Sequence, residues 1–90
     1  MARIVWTREA LASPELIRSY IHQFDPQAAH RMALRLIEAG DSLRTFPDRG
    51  RPVSGGRREL VTIPPYIIRY KFDGERVFIV GVRHSAQLSD

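Results

Sequence analysis

Ninety residues with 43% apolar content suffice for one compact domain, residues 1–90, built on a single core. The absence of cysteine excludes disulfide frameworks and thiolate metal sites, and no run nears the roughly 20 apolar residues that a membrane span requires. The net charge of +4 is carried almost wholly by arginine, Lys71 being the sole lysine, so the expected partner is an acidic protein segment or a nucleic acid that guanidinium forks can grip.

In chain order, "ARIVW" is a short β-favouring run with Ile4 and Trp6 on one side and Val5 on the other. Thr7 is placed to cap a helical turn through "REALA". Ser13, Pro14 and Glu15 form a second start signal, and Leu16, Ile17, Tyr20, Ile21 and Phe24 follow at helical spacing. Asp25-Pro26 opens a second, longer helix, with Ala29, Met32, Ala33, Leu36, Ile37, Leu43 and Phe46 on one face and Pro47 as its stop. The two helices are separated by almost nothing and are expected to form an antiparallel hairpin. Residues 47–57, "PDRGRPVSGGR", read as loop.

Three β runs complete the chain: "RELVTI" stopped by Pro64-Pro65, "YIIRYKF" turned by Asp73-Gly74, and "RVFIVGVRH". In the middle run Tyr66, Ile68, Tyr70 and Phe72 alternate with Ile67, Arg69 and Lys71, which suits a sheet with one covered and one open face. Strict alternation in the last run puts Phe78, Val80, Val82 and His84 on one face and Val77, Ile79, Gly81 and Arg83 on the other. The predicted fold class is α+β: an N-terminal strand, an antiparallel helical hairpin, then a three-stranded antiparallel meander.

Few residues carry obvious chemistry. His22, His30 and His84 are scattered, so neither a metal nor a cofactor is expected. Gly50, Gly55 and Gly56 lack the preceding strand and following Lys-Ser/Thr of a phosphate-binding P-loop. Tyr66 and Tyr70 read as core. Glu59 is a possible base, but the expectation is a solvated charge at a strand edge.

The ordered words "VWTREAL…LIRSYI", "DPQAAHRMALRLIEAGDSL", "FPDRGRP", "RREL" and "YIIRYKFDGERVFIVGVRH" resemble the RelE/ParE superfamily, toxins of bacterial type II toxin–antitoxin modules, over essentially the whole chain. The resemblance implies a β-α-α-β-β-β fold; cytoplasmic residence is expected from the cysteine-free composition and from an N-terminus, "MARIVWTREA", without the apolar segment of a secretory signal. It also implies a hetero-oligomer with a cognate antitoxin whose N-terminal part is a ribbon-helix-helix DNA-binding unit. Two targets follow from the family: DNA gyrase for ParE-like members, the ribosome with its bound mRNA for RelE-like ones. A non-toxic relative acting only as an antitoxin-binding co-repressor is a third possibility.

RelE-like nucleases resemble one another in drawing catalytic groups from the open sheet face: an arginine before the last hairpin, and an arginine with a tyrosine or histidine from the chain's end. Here the mid-strand arginine position falls at Ile67, with Arg69 one alternation away, and "HSAQLSD" supplies neither tyrosine nor arginine. His84 falls one residue early, and a one-residue slip in a strand reverses a side chain's face. No catalytic residue is therefore assigned; under a nuclease reading the candidates would be His84, Arg83 and Arg69. The ParE-like branch is the expectation, with target contact through Arg49, Arg51, Arg57, Arg58, Arg69, Arg83 and His84. Antitoxin contact is expected through Leu11, Tyr20, Met32 and Leu36.

Overall fold

Five strands form one mixed sheet in a computed structural model of the chain, which describes residues 1–12, 25–63 and 66–84. They are β1 (Arg3–Trp6), β2 (Arg51–Val53), β3 (Arg57–Ile63), β4 (Tyr66–Phe72) and β5 (Arg76–His84), in the spatial order β1-β5-β4-β3-β2. The predicted meander is β3-β4-β5, antiparallel throughout. Two strands extend it: β1 lies parallel to β5, and β2 pairs antiparallel with β3. The stretch 47–57, expected as loop, thus contains strand β2. Its three residues include Pro52, which an edge strand tolerates because its missing N–H can face solvent. Gly55 and Gly56, both at positive φ (79° and 71°), make the turn from β2 to β3.

The α+β expectation holds. Thr7 ends β1 and caps the helical segment at residues 8–12: its Oγ1 accepts from the Ala10 N–H at 3.2 Å and donates to the Ile79 carbonyl at 2.8 Å. One hydroxyl thus joins the segment's start to β5. The helix predicted to start at Ser13-Pro14 and run to Phe24 lies outside the described residues.

The long helix, α1 (Pro26–Asp41), begins as predicted: Asp25 Oδ1 accepts from the N–H groups of Gln27 and Ala28, and Pro26 takes the first turn. It ends earlier than expected, passing into a 3-10 turn at Ser42–Arg44. Of its predicted apolar face, Ala29, Ala33, Leu36 and Leu43 are buried and Met32 is half-buried. Ile37, inside the helix, is exposed, and so is Phe46, by 63%, because the chain has left the α-helical path for the tighter turn before it reaches Phe46.

The core lies between α1 and one sheet face, where Leu36 and Leu43 meet Leu60, Tyr66, Ile68, Tyr70, Val77 and Ile79. Ile4 and Trp6 pack at its margin. Each fully buried large side chain contributes about 1.5–3 kcal/mol. Gly40 is part of this packing. A Cβ there would stand 2.5 Å from Trp6 Cζ2 and 2.8 Å from Ile79 Cδ1, so the glycine lets the indole lie against the helix backbone. Alanine would gain about 1 kcal/mol of helix propensity and lose about 1–3 kcal/mol to overpacking. Gly40→Ala is expected to lower Tm in a thermal melt; a raised Tm would contradict this packing.

The Asp73-Gly74 turn forms as predicted, with Gly74 at φ 98°. Asp73 Oδ1 accepts from the N–H groups of Arg76 (2.7 Å) and Glu75 (2.9 Å). These bonds, chiefly the one from Arg76, hold the carboxyl below its ordinary range. A lowered folded value means a stabilising contribution that is present above the unfolded value and lost as pH falls through the folded one. Asp73→Asn is therefore expected to flatten the stability–pH curve below about pH 4 and to leave its neutral region level.

Candidate functional site

The open sheet face is organised by register. Arg51 of β2 pairs with Glu59 of β3, Glu59 with Arg69 of β4, and Arg69 with Gly81 of β5, so the four form one row across the strands. Glu59 is the hub. Its side chain is only 6% exposed, and its Oε1 lies 3.2 Å from Arg51 Nη2. Its Oε2 lies 3.5 Å from Arg69 Nε and 3.6 Å from Arg83 Nη2. The solvated strand-edge charge expected at Glu59 is thus corrected: it is a buried carboxylate shared by three guanidinium groups. Period-2 alternation gives a residue's face but not its cross-strand neighbours, so the sequence held no direct signal for this cluster.

A bulge makes the cluster possible. The register runs from Tyr70↔Ile79 to Arg69↔Gly81 and skips Val80. Unbroken alternation would have put Arg83 on the face of Val77 and Ile79, which is the core side. The extra residue reverses the phase, a common effect of a bulge. Gly81 and Arg83 join Arg69 on the open face, while Val82 and His84 join Ile68 and Tyr66 on the helix side. The predicted grouping of Phe78 and Val80 with Val82 and His84 is corrected accordingly.

Gly81 contributes by having no side chain. A Cβ there would meet nothing within 4 Å. The result is a hollow of about 320 Å³ lined by Arg57, Arg69, Val80, Gly81, Val82 and Arg83.

His84 lies on the opposite face. It pairs in register with Tyr66, and the two rings meet edge to face, 5.4 Å between centroids. Of the three nuclease candidates, Arg69 and Arg83 come together and His84 does not join them. Tyr66 and Tyr70 are core residues, as predicted.

The predicted arginines divide by role. Arg51, Arg57, Arg69 and Arg83 belong to the open face. Arg49 and Arg58 fasten the loop before β2: Arg49 Nη1 donates to Ser42 Oγ at 2.7 Å, and Arg58 Nη1 donates to the carbonyls of Gly50 (2.7 Å) and Asp48 (3.2 Å). Tyr70 completes that fastening from the core. Its hydroxyl donates to the Pro47 carbonyl at 2.7 Å and accepts from the Gly50 N–H at 2.9 Å. Burial raises the phenol above its ordinary value. A Cβ at Gly50 would lie 2.7 Å from both Tyr70 Cε1 and its hydroxyl, so only glycine permits this approach. The word "FPDRGRP" is thereby given a physical reading: Pro47 and Gly50 dock on Tyr70, and Arg51 is delivered to Glu59.

Tyr70→Phe would leave a half-buried carbonyl and a buried N–H without their partner, at about 2 kcal/mol, or roughly 10 °C in Tm for a domain of this size. Calorimetry checks this; an unchanged melt would mean that the loop stands without the phenol.

Of the residues expected to meet an antitoxin, Leu11 is exposed by 58% and Met32 packs half-buried against the core. Tyr20 lies outside the described residues. Leu36 is corrected: it is fully buried in this chain's own core, with no surface to offer. Leu34 and Ile37, one turn apart on the outer side of α1, are exposed instead. Among the described residues there is no group of three His, Asp or Glu able to hold a metal, and no helix long and apolar enough to cross a membrane.

Fold and site together define a small α+β domain with a helix on one face of its sheet and an arginine cluster, built on one buried carboxylate, on the other. A model of the family described as "ParE toxin of type II toxin-antitoxin system, parDE" matches residues 4–89. The chain is 54% identical over 88 residues to Toxin RelE2 of Caulobacter vibrioides, covering 98% of this chain and 100% of that protein. It is 38% identical over 87 residues to Putative toxin Y4kP of Sinorhizobium fredii, covering 94% and 90% respectively. A solved structure described as "Chromosomal ParDE TA system from P. aeruginosa" shares the fold, with a TM-score of 0.84 at 22% identity over 93% of this chain and 96% of that one. This chain belongs to the ParE toxin family of type II toxin–antitoxin systems, within the RelE/ParE superfamily.

Proposed function

We propose that this toxin poisons DNA gyrase by protein–protein contact through its open sheet face and is neutralised by a cognate antitoxin. The observation that carries this reading is the make-up of the hollow. Its polar lining is arginine, and arginine stays protonated at physiological pH and so does not relay protons. Phosphodiester cleavage through the 2′-hydroxyl needs a base and an acid beside the cations. His84 faces the other way, and both oxygens of Glu59 are occupied by guanidinium groups. What remains is a rigid, cationic, partly apolar surface suited to adhesion. The exposed Leu11, Leu34 and Ile37 on the helical side support antitoxin contact there, leaving the open face to the target.

Gyrase supercoiling with the purified chain tests the reading. Accumulation of cleaved, protein-linked DNA is expected, and full supercoiling at saturating toxin would remove it. A second reading, ribosome-dependent mRNA cleavage, is favoured by one observation: Arg69 and Arg83 converge as a phosphate clamp would.

A further inference from the structure

We propose that the hollow floored by Gly81 is a receptor for a single carboxylate, contributed by an acidic side chain of the toxin's protein target. This rests on the reading that the chain acts on a protein, and it names the group that the site receives. Arg57, Arg69 and Arg83 line the hollow, and among the described residues the carboxylate beside Arg69 and Arg83 is Glu59, already shared with Arg51. Arg57 makes no ion pair with it, which leaves the hollow electropositive. Glu59 also demonstrates the chemistry, since a carboxylate already sits against two of these guanidinium groups, Arg69 at 3.5 Å and Arg83 at 3.6 Å.

The hollow takes one anionic group and not a succession of them. The side chains of Arg69 and Arg83 are only 28% and 26% exposed, so they meet what enters the hollow and not what passes over it. Three arginines that could extend a track are engaged elsewhere. Arg49 and Arg58 hold the loop, and Arg76 pairs with Asp73 while lying 5.0 Å over the Phe78 ring. Nucleic-acid affinity accumulates over many phosphates along a cationic path. A single recessed cluster flanked by Val80 instead suits a glutamate or aspartate, whose methylene lies on that valine while its carboxylate meets the forks.

Gly81 supplies the test. Because a Cβ there meets open space, Gly81→Val fills the hollow without disturbing the strand, where a β-branched residue is well accommodated. The arginine Nε–Hε resonances of the full chain are followed by NMR during titration with N-acetylglutamate N-methylamide, and separately with dimethyl phosphate as a phosphodiester. Saturable shifts of Arg69 and Arg83 are expected with the carboxylate probe, weaker with the diester. The carboxylate affinity should fall at least about tenfold in Gly81→Val, whose backbone amide spectrum stays native away from β5. Tighter binding of the diester would transfer the hollow to nucleic acid. An absent response, or one unchanged in Gly81→Val, would also overturn the proposal. Gyrase is absent from this titration, so its failure leaves the gyrase reading standing, and carboxylate binding by a toxin inert toward gyrase would remove that reading alone.

Discussion

Glu59→Gln is expected to lower the stability of this domain by about 3 kcal/mol, which for ninety residues is a fall in Tm of roughly 15 °C. The glutamine keeps the volume but removes the charge that three guanidinium groups share, and its amide N–H groups would face donors. The cost is unequal among the partners. Arg51, 70% exposed, can turn to water at little cost, whereas Arg69 and Arg83 are mostly enclosed. The loss therefore comes chiefly from leaving buried cations without a counter-charge, and removing one of those cations should recover part of it. The double substitution Glu59→Gln with Arg69→Met is expected to be more stable than the sum of the two single changes predicts. Denaturant melts of the four proteins measure this, and strict additivity would show that the cluster is not energetically coupled.

On the proposed gyrase reading, Arg69→Gln together with Arg83→Gln is expected to weaken inhibition of gyrase by about 100-fold or more, in line with the loss of two central arginines from a protein interface. Both side chains are held by Glu59 before any partner arrives, so little conformational entropy is lost when they engage. Arg83→Lys should retain part of the activity, since it keeps the charge and loses the planar fork. Arg49→Gln serves as the contrast. That side chain reaches Ser42 near the end of α1, outside the hollow, and its loss should leave inhibition nearly unchanged. Circular dichroism of each variant separates lost contact from lost fold. Equal inhibition by the doubly substituted and native toxins would mean that the target engages a different surface.

Local signals were legible in the sequence and long-range ones were not. Thr7 and Asp25 announced their helical starts because capping needs only one oxygen near the following N–H groups. Asp73-Gly74 announced its turn for a similarly local reason. The pairing of β1 with β5 joins the two ends of the chain, and no periodicity within either strand encodes it. Pro52 disguised β2 as loop. The most consequential miss was the bulge at Val80, because the facing of Arg83 and His84 depends on that one uncounted residue. Glu59 was missed for a related reason: its partners come from β2, β4 and β5, and become its neighbours only once the register is set. The residue types of the site were thus visible, while their grouping was a property of the sheet.

The most direct test of adhesion against hydrolysis uses one preparation in two reactions. The toxin is added to gyrase on relaxed plasmid, and to translating ribosomes whose mRNA ends are then mapped by primer extension. With hydroxyl-handling groups turned away from the arginines, intact mRNA is predicted beside trapped gyrase–DNA complexes. Cleaved mRNA with undisturbed supercoiling would contradict the account.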